Sequence, residues 1–391
     1  MRIGYYAHHH GSGHCRQADK LAALLPPHLQ HQLIVFTSLP DDRYHFTTIK
    51  EVQIIRLQDE DELAEDVLVG RAGQYWQPSS LHYSPVGNKD IRMRSWQLLD
   101  TIKQRQIDLM IIDVSVEVAM LCRVASVPYL YVRLPGERDD MPHIGAFTGA
   151  LGILAPYPKA LEAAATPNWV RQKTLYLDFL ASKAFNSLSP AEFLSYLASL
   201  TPSTAPFFDK SATQPLIVTV IKGYGGHKAI DDKLAMLRDA LPSAFIISLG
   251  PIDDYARQFV DIATEVEEVT PFIVHSDLLV MATGLNSIAQ VYQWQTPVVV
   301  LPDERPHREQ EVMAEALIAQ GRALSWEQFI AQTVNENILD KFVKAVSAQQ
   351  DVHNDQPLAA QSFIDSIVAY DTVKSWFQEW LLPQLAISIE S

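Results

Sequence analysis

The stretch YYAHHHGSGHCRQ, residues 5–17, sets His8, His9, His10 and His14 around Gly11 and Gly13. Imidazoles this close together suggest either metal ligation or proton transfer near neutral pH. Ligation fits poorly, because three consecutive side chains on an extended chain point in alternating directions. No carboxylate stands nearby before Asp19 either. A general base for an acceptor hydroxyl fits better. His14 is the first candidate, since it opens a helix in which Ala18, Leu21, Ala22 and Leu25 recur at i, i+3, i+4, i+7. His10 is the reserve, and the remaining histidines cap the strand and pack. Gly11, Ser12 and Gly13 form the turn that presents them.

A second candidate closes the apolar run DLMIIDV (108–114). Asp113 reads as a carboxylate that orients the base, or as a helix N-cap for VEVAM, which Asp or Ser supplies unaided. The charged loop RLPGERDDMPH (133–143) offers Arg133, Glu137, Arg138 and His143 as acceptor contacts or as a solvated surface. Tyr75, Trp76 and Tyr83 are rings that either stack on a sugar or pack in a core.

Three stretches in the second half are rich in glycine, hydroxyls and amides. KGYGGHK carries Gly223, Gly225, Gly226 and His227 directly after a strand. ATGLNSIAQ carries Thr283, Gly284, Asn286, Ser287 and Gln290, and DERPHREQ carries Arg308, Glu309 and Gln310. Glycine lets backbone N–H groups approach a phosphate, and a following helix N-terminus favours negative charge. A sugar nucleotide, with many hydroxyls and one diphosphate, suits this set. Neither glycine loop is G-x-G-x-x-G or a Walker A loop, and the second strand ends in serine rather than an acid, which disfavours NAD. The acidic doublets 41–42, 139–140 and 253–254 are adjacent pairs rather than D-x-D, so neither metal nor cofactor is expected.

These residues need a scaffold. RIGYYA (2–7), HQLIVFTS (31–38), VQIIRL (52–57), DLMIIDV and PYLYVRL (128–134) are apolar runs with helical stretches between them. LIVTVIKG (216–223), AFIISLG (244–250), DLLVMATG (277–284) and TPVVVLP (296–302) start the pattern again. Runs that are apolar throughout imply strands buried on both faces, hence parallel sheets covered by helices. The expected fold class is α/β, with two doubly wound Rossmann-like domains. In such sheets ligands bind at the C-terminal ends of strands. The expected domains are 1–165 on the acceptor side, 166–370 on the donor side, and a C-terminal helix over 371–391 packing back on the first. That helix, read over about 361–382, carries Phe363, Ile367, Tyr370, Val373, Trp376, Phe377 and Trp380.

The 391 residues carry a net charge of −15 and are 48% hydrophobic. The composition suits packed cores, and the charge repels nucleic acid. It leaves at most a weak, local membrane contact. Two cysteines build no disulfide framework, and the start of the chain lacks the apolar core of a secretion signal, so a cytoplasmic location is expected.

The block HSDLLVMATGLNSIAQVYQWQTPVVVLPDERPHREQEVMAEALIAQGRA (275–323) resembles the C-terminal signature of GT-B glycosyltransferases. The nearest likeness is to the N-acetylglucosaminyl transferases of peptidoglycan synthesis and the diacylglycerol glycosyltransferases. HHHGSGHCRQADKLAALL resembles that family's N-terminal loop and helix, and VIKGYGGHKA lies where the family has its second glycine loop. The resemblance implies two domains facing a cleft and a nucleotide-sugar donor, usually a UDP-sugar. It places Gly223, Gly225 and Gly226 near the diphosphate, and Thr283, Gly284 and Leu285 near the phosphate. Gln290 stands where the family often has a ribose-binding glutamate. Glu309 and Gln310 stand where paired polar residues hold the sugar, and His14 matches the loop histidine near the acceptor. The reaction expected is an inverting displacement with His14 as base and Arg308 facing the departing diphosphate. A UDP-sugar 2-epimerase or hydrolase of the same fold, and a non-catalytic sugar-nucleotide binder, are the alternatives. The acceptor is not legible.

Overall fold

The computed structural model describes residues 1–59, 78–180, 188–200, 216–222, 228–333 and 359–385. They fall into two compact units. One comprises described residues 1–159, 164–180 and 359–385, and the other 160–163 and 188–333. The first unit therefore runs past residue 165, because the segment to 180 completes its sheet. It also takes in the chain from 359, which the sequence reading gave to the second domain as far as 370. Among the described residues no helix is long and apolar enough to cross a membrane.

The first unit holds seven strands: β1 (Ile3–Tyr6), β2 (Leu33–Thr37), β3 (Ile54–Arg56), β4 (Leu109–Asp113), β5 (Tyr129–Val132), β6 (Gly152–Ala155) and β7 (Thr174–Tyr176). Their order is β3-β2-β1-β4-β5-β6-β7, with every pairing parallel. The order reverses between β1 and β4, which makes that junction the topological switch point. Successive side chains alternate between two cores. Ile3, Tyr5, Leu109 and Ile111 face one, and Tyr6, Met110 and Ile112 face the other.

Helix α1 (Gly13–Leu24) packs Cys15, Ala18, Leu21 and Ala22 on the first face. Helices α2 (Lys89–Arg105), α3 (Val116–Val124) and α4 (Met141–Gly149) cover the second. The C-terminal segment closes the first face with Phe363, Ile364, Ile367, Trp376 and Leu381. It is two helices rather than one. Ala359–Ala369 ends before Tyr370 and Asp371, and the next begins at Val373 because the Thr372 side chain caps Ser375 N at 3.2 Å. Trp376 is fully buried, and its indole N–H donates to Ser366 Oγ at 3.0 Å.

The second unit holds β8 (Ile217–Ile221), β9 (Phe245–Leu249), β10 (Ile262–Thr264), β11 (Leu278–Met281), β12 (Val298–Val300) and β13 (Ala323–Ser325). The order is β10-β9-β8-β11-β12-β13, again parallel throughout. Its switch point lies between β8 and β11. Gly250 follows β9 with φ +97, and a Cβ there would sit 2.6 Å from Lys222 O, so only glycine fits this close approach.

Candidate active site

The two candidates of the first half meet at the first unit's switch point. Asp113 is the last residue of β4 and shares the face of Ile111, which pairs with Tyr5 across the β1–β4 ladder. That face is the one α1 covers. Gly11 turns the chain with φ +78, the backbone carbonyl of Ser12 receives Arg16 N, and His14 lies in the first turn of α1. His14 Nδ1 consequently lies 3.0 Å from Asp113 Oδ2. The carboxylate is fully buried, while the His14 side chain is 13% exposed. A ring held by its Nδ1 on a carboxylate presents Nε2 as the acceptor of a proton.

Asp113 is not the helix cap. Ser115 takes that role, its hydroxyl receiving Val118 N at 3.2 Å. Between them Val114 has φ +54, and Ser115 N bonds Asp113 O at 2.8 Å across it. This is a γ-turn of the rare positive-φ kind, on a β-branched residue for which that backbone is a true outlier. The turn lets Asp113 end the strand facing α1 while Ser115 starts a helix on the other face.

A third group completes the cluster. Tyr5 Oη donates to the same Asp113 Oδ2 at 3.0 Å. Burial first, and then Asp113, hold the Tyr5 phenol well above its ordinary value, so it remains a donor. Cys15, next to His14, is pushed up to about 11 chiefly by burial and is no thiolate near neutral pH. His10, the reserve base, is exposed, and its ring lies against those of His8 and His9, while Asp113 goes to His14.

Around the dyad, buried charges hold the loops. Arg94 of α2 is buried and donates to Tyr6 Oη, to Ser38 Oγ at 2.8 Å and to Gln58 O at 3.1 Å. Glu117 Oε1 receives His82 N and Tyr83 N, each at 2.8 Å. His82 Nε2 and His143 Nδ1 lie 2.9 and 2.6 Å from the two oxygens of Asp140. This histidine–carboxylate set has metal-ligating types, but hydrogen bonds account for it. Arg138, which has only donors, meets His143 Nε2 at 3.2 Å, so the His143 proton sits on Nδ1 facing Asp140. Burial, then Arg138, lower His143 to about 3, so the ring is neutral. Burial acts to raise the Asp140 carboxyl, but its bonds from His143 and His82 hold it below its ordinary range. Arg133 is buried with its guanidinium over the Tyr157 ring, and it lines one cavity with Glu137 and Arg138. The loop expected to meet an acceptor thus holds one buried cation and one neutral histidine.

In the second unit, β8, β11 and β12 are neighbours, so the loops after them share one edge of the sheet. Gly223, Gly225, Gly226 and His227 lie outside the described residues, as do Tyr75 and Trp76. After β11, helix α5 (Leu285–Val291) follows its N-cap residue Gly284. Asn286 and Ser287 are partly exposed on its first turn, and Gln290 is exposed. Thr283 is fully buried and donates to Gln310 O at 2.6 Å, and Leu285 is buried, so these two support the edge. Gln310 is buried in helix α6 (Glu309–Ala319), where its Oε1 receives Asp303 N at 2.9 Å. Arg308 precedes α6 with φ +51 and bonds Glu315 Oε1 at 2.6 Å. Glu309, first in α6, is partly exposed.

Sequence reasoning passed over Lys222. Its Nζ lies 2.6 Å from Asp231 Oδ1, both side chains are fully buried, and Asp231 Oδ2 receives Asp253 N at 2.8 Å. The signal available was a lysine ending a buried strand, where an amine needs an acid. Tyr5 and Tyr6 carried a similar signal. Two phenols in a doubly buried strand each need a polar partner, and they found Asp113 and Arg94 on opposite faces.

No family model and no curated protein matches this sequence. Solved structures do match in fold. The chain is similar to MurG of Acinetobacter baumannii at 13% identity and TM-score 0.63, over 95% of this chain and 100% of that one. It is similar to the spinosyn rhamnosyltransferase SpnG complexed with thymidine diphosphate at 14% identity and TM-score 0.57, over 94% and 100%. It is also similar to a UGT transferase of Siraitia grosvenorii in complex with UDP at 12% identity and TM-score 0.57, over 94% and 99%. Two Rossmann-like units with parallel sheets and this set of neighbours define the fold as GT-B, like that of MurG-type enzymes.

Proposed function

We propose that the protein is an inverting, metal-independent glycosyltransferase that moves a sugar from a nucleoside-diphosphate donor to an acceptor hydroxyl. The observation that carries this reading is the His14–Asp113 pair at the switch point of a GT-B chain's first sheet. His14 Nε2 takes the proton of the acceptor hydroxyl as that oxygen attacks the anomeric carbon. Asp113 holds the ring by Nδ1 and stabilises the imidazolium. The nucleoside diphosphate leaves with the electron pair of the broken glycosidic bond.

The solved neighbours that hold thymidine diphosphate or UDP support a nucleoside diphosphate as donor handle, with a UDP-sugar first. On this reading Gly284, Asn286, Ser287, Gln290 and Glu309 contact the donor, and Thr283, Leu285 and Gln310 support them from below. Arg308 meets the diphosphate by leaving Glu315. The glycine loop with Gly223, Gly225, Gly226 and His227 is assigned to the diphosphate on the sequence pattern alone. On the acceptor side the reading keeps Gly11 to Gly13, Arg133 and Glu137. The epimerase alternative wants a carboxylate at the anomeric centre, whereas Asp113 is buried and engaged by His14 and Tyr5.

A panel of UDP-, GDP- and dTDP-sugars tests the reading by thermal shift. A true donor at 100 times its Kd adds about 2.7 kcal/mol of stability. A panel in which no sugar nucleotide moves the melting temperature refutes it. With the donor found, His14→Ala should lower turnover by roughly 10²–10⁴ while donor binding persists.

A further inference from the structure

The buried side of the dyad has an asymmetry that the two-residue reading leaves unexplained. Asp113 Oδ2 accepts a hydrogen bond from Tyr5 Oη and pairs with His14 Nδ1, both at 3.0 Å. Asp113 Oδ1 is equally buried and has no hydrogen-bond partner among the described residues. A carboxylate normally spreads its donors over both oxygens. Here both partners use the same one. Electron density drawn toward the phenol proton is less available to the imidazole, so each bond weakens the other.

We propose that Tyr5 is a positioning residue of the dyad, whose hydroxyl shares Asp113 Oδ2 with His14 and so limits how tightly the carboxylate holds the imidazolium. This rests on the reading of His14 as the base. Without Tyr5 the whole of Oδ2 would serve His14, the protonated ring would be over-stabilised, and less neutral base would be present near pH 7. With Tyr5, the ring stays oriented yet gives up its proton at a lower pH. The strand register dictates the arrangement. Tyr5 pairs with Ile111, so its ring rises on the face that Asp113 also uses, and the hydroxyl reaches the end of β4.

Other titratable groups face this cluster and must be held constant in the comparison. Cys15 comes from α1, and its thiol, raised by burial, stays neutral over the range of interest. Tyr131 of β5 feels Asp113 from the other side of the strand end and is likewise held far above its ordinary value by burial. The His8 ring lies 5.6 Å from that of His14, so the two need separate assignment.

The experiment is a pH titration of the histidine-¹⁵N-labelled full chain by NMR, which needs no substrate. His14→Gln and His8→Gln assign the two rings. In Tyr5→Phe the His14 midpoint should rise by about half a pH unit or more, because a hydrogen bond to the carboxylate has been lost. An unmoved or lowered midpoint overturns the proposal. Should Tyr5→Phe fail to fold, tyrosine labelled with ¹³C at Cζ in the wild type decides. The Tyr5 signal should shift at the His14 midpoint, and a signal flat across it refutes the coupling. Once a donor is identified, Tyr5→Phe should lower turnover at pH 6 and regain it at pH 9, whereas a merely structural loss would be uniform. A dead His14→Ala with an unshifted Tyr5→Phe discards the Tyr5 role alone. A fully active His14→Ala discards the base.

Discussion

Replacing Asp113 by asparagine tests the candidate site most sharply. The change keeps size and shape. The carbonyl oxygen of the amide can occupy the position of Oδ2, where Tyr5 donates and His14 Nδ1 lies 3.0 Å away, which leaves its NH₂ at Oδ1, where no partner waits. Orientation is therefore kept and charge is removed. At 3.0 Å, with an effective dielectric near 20, a carboxylate attracts an imidazolium by about 5 kcal/mol. The amide dipole retains part of this, and proton transfer is incomplete at the transition state, so about 3–5 kcal/mol is lost from the barrier. That corresponds to a fall in kcat of roughly 10²–10⁴. The buried, unpaired NH₂ costs a further 1–3 kcal/mol or so of stability, so the assay must run well below the lowered melting temperature. The measurement is release of nucleoside diphosphate at saturating donor, with donor affinity followed in parallel by thermal shift. A variant within about threefold of wild-type kcat would refute the base assignment, and so would a loss confined to donor affinity.

Other perturbations probe the scaffold. Asp19 receives five hydrogen bonds from Tyr44, Thr47, Thr48 and Ile49; burial acts to raise its carboxyl, but the Thr47, Thr48 and Tyr44 bonds prevail and lower it. A depressed carboxyl stabilises above its unfolded value and loses that as pH falls through its folded one. Asp19→Asn should thus cost about 2 kcal/mol in urea unfolding at pH 7, with the gap closing below about pH 4. Trp376→Ala should cost about 3–5 kcal/mol through the cavity it leaves, read from the same unfolding curves. Lys222→Met strands the Asp231 carboxylate and should cost about 3–5 kcal/mol, part of which Asp231→Leu in the same chain should restore.

The central strands were legible because each is buried on both faces and reads as an unbroken apolar run. The strands β6, β7, β10 and β13 were not, since three or four residues give little periodicity; β3 and β12 are as short but sit in the longer apolar runs VQIIRL and TPVVVLP. His14 and Asp113 could be picked out because residues of catalytic type stood at strand ends. What the sequence left open was whether Asp113 was a cap, and Ser115 resolves that by capping α3 itself. Tyr5 and Arg94 were hidden for opposite reasons: a tyrosine counts as apolar in a strand, and an arginine counts as surface on a helix. In the second unit, residue type could not distinguish polar groups at the sheet edge, such as Ser287, from those beneath it, such as Thr283 and Gln310.

One feature of the chain path bears on synthesis. The first unit's α1-side core is built from residues near both ends of the sequence, with Ile3 and Leu21 packed in one cluster with Phe363 and Trp376. A nascent chain emerging from the ribosome can lay down β1 to β7 and still lack the lid over half of that sheet. It must hold a face that only α1 partly covers while about 180 further residues are translated, a kinetic window in which chaperone capture competes with aggregation. The second unit, with described residues 160–163 and 188–333, needs nothing from the last stretch of chain, so it can finish folding before the first unit, which began earlier.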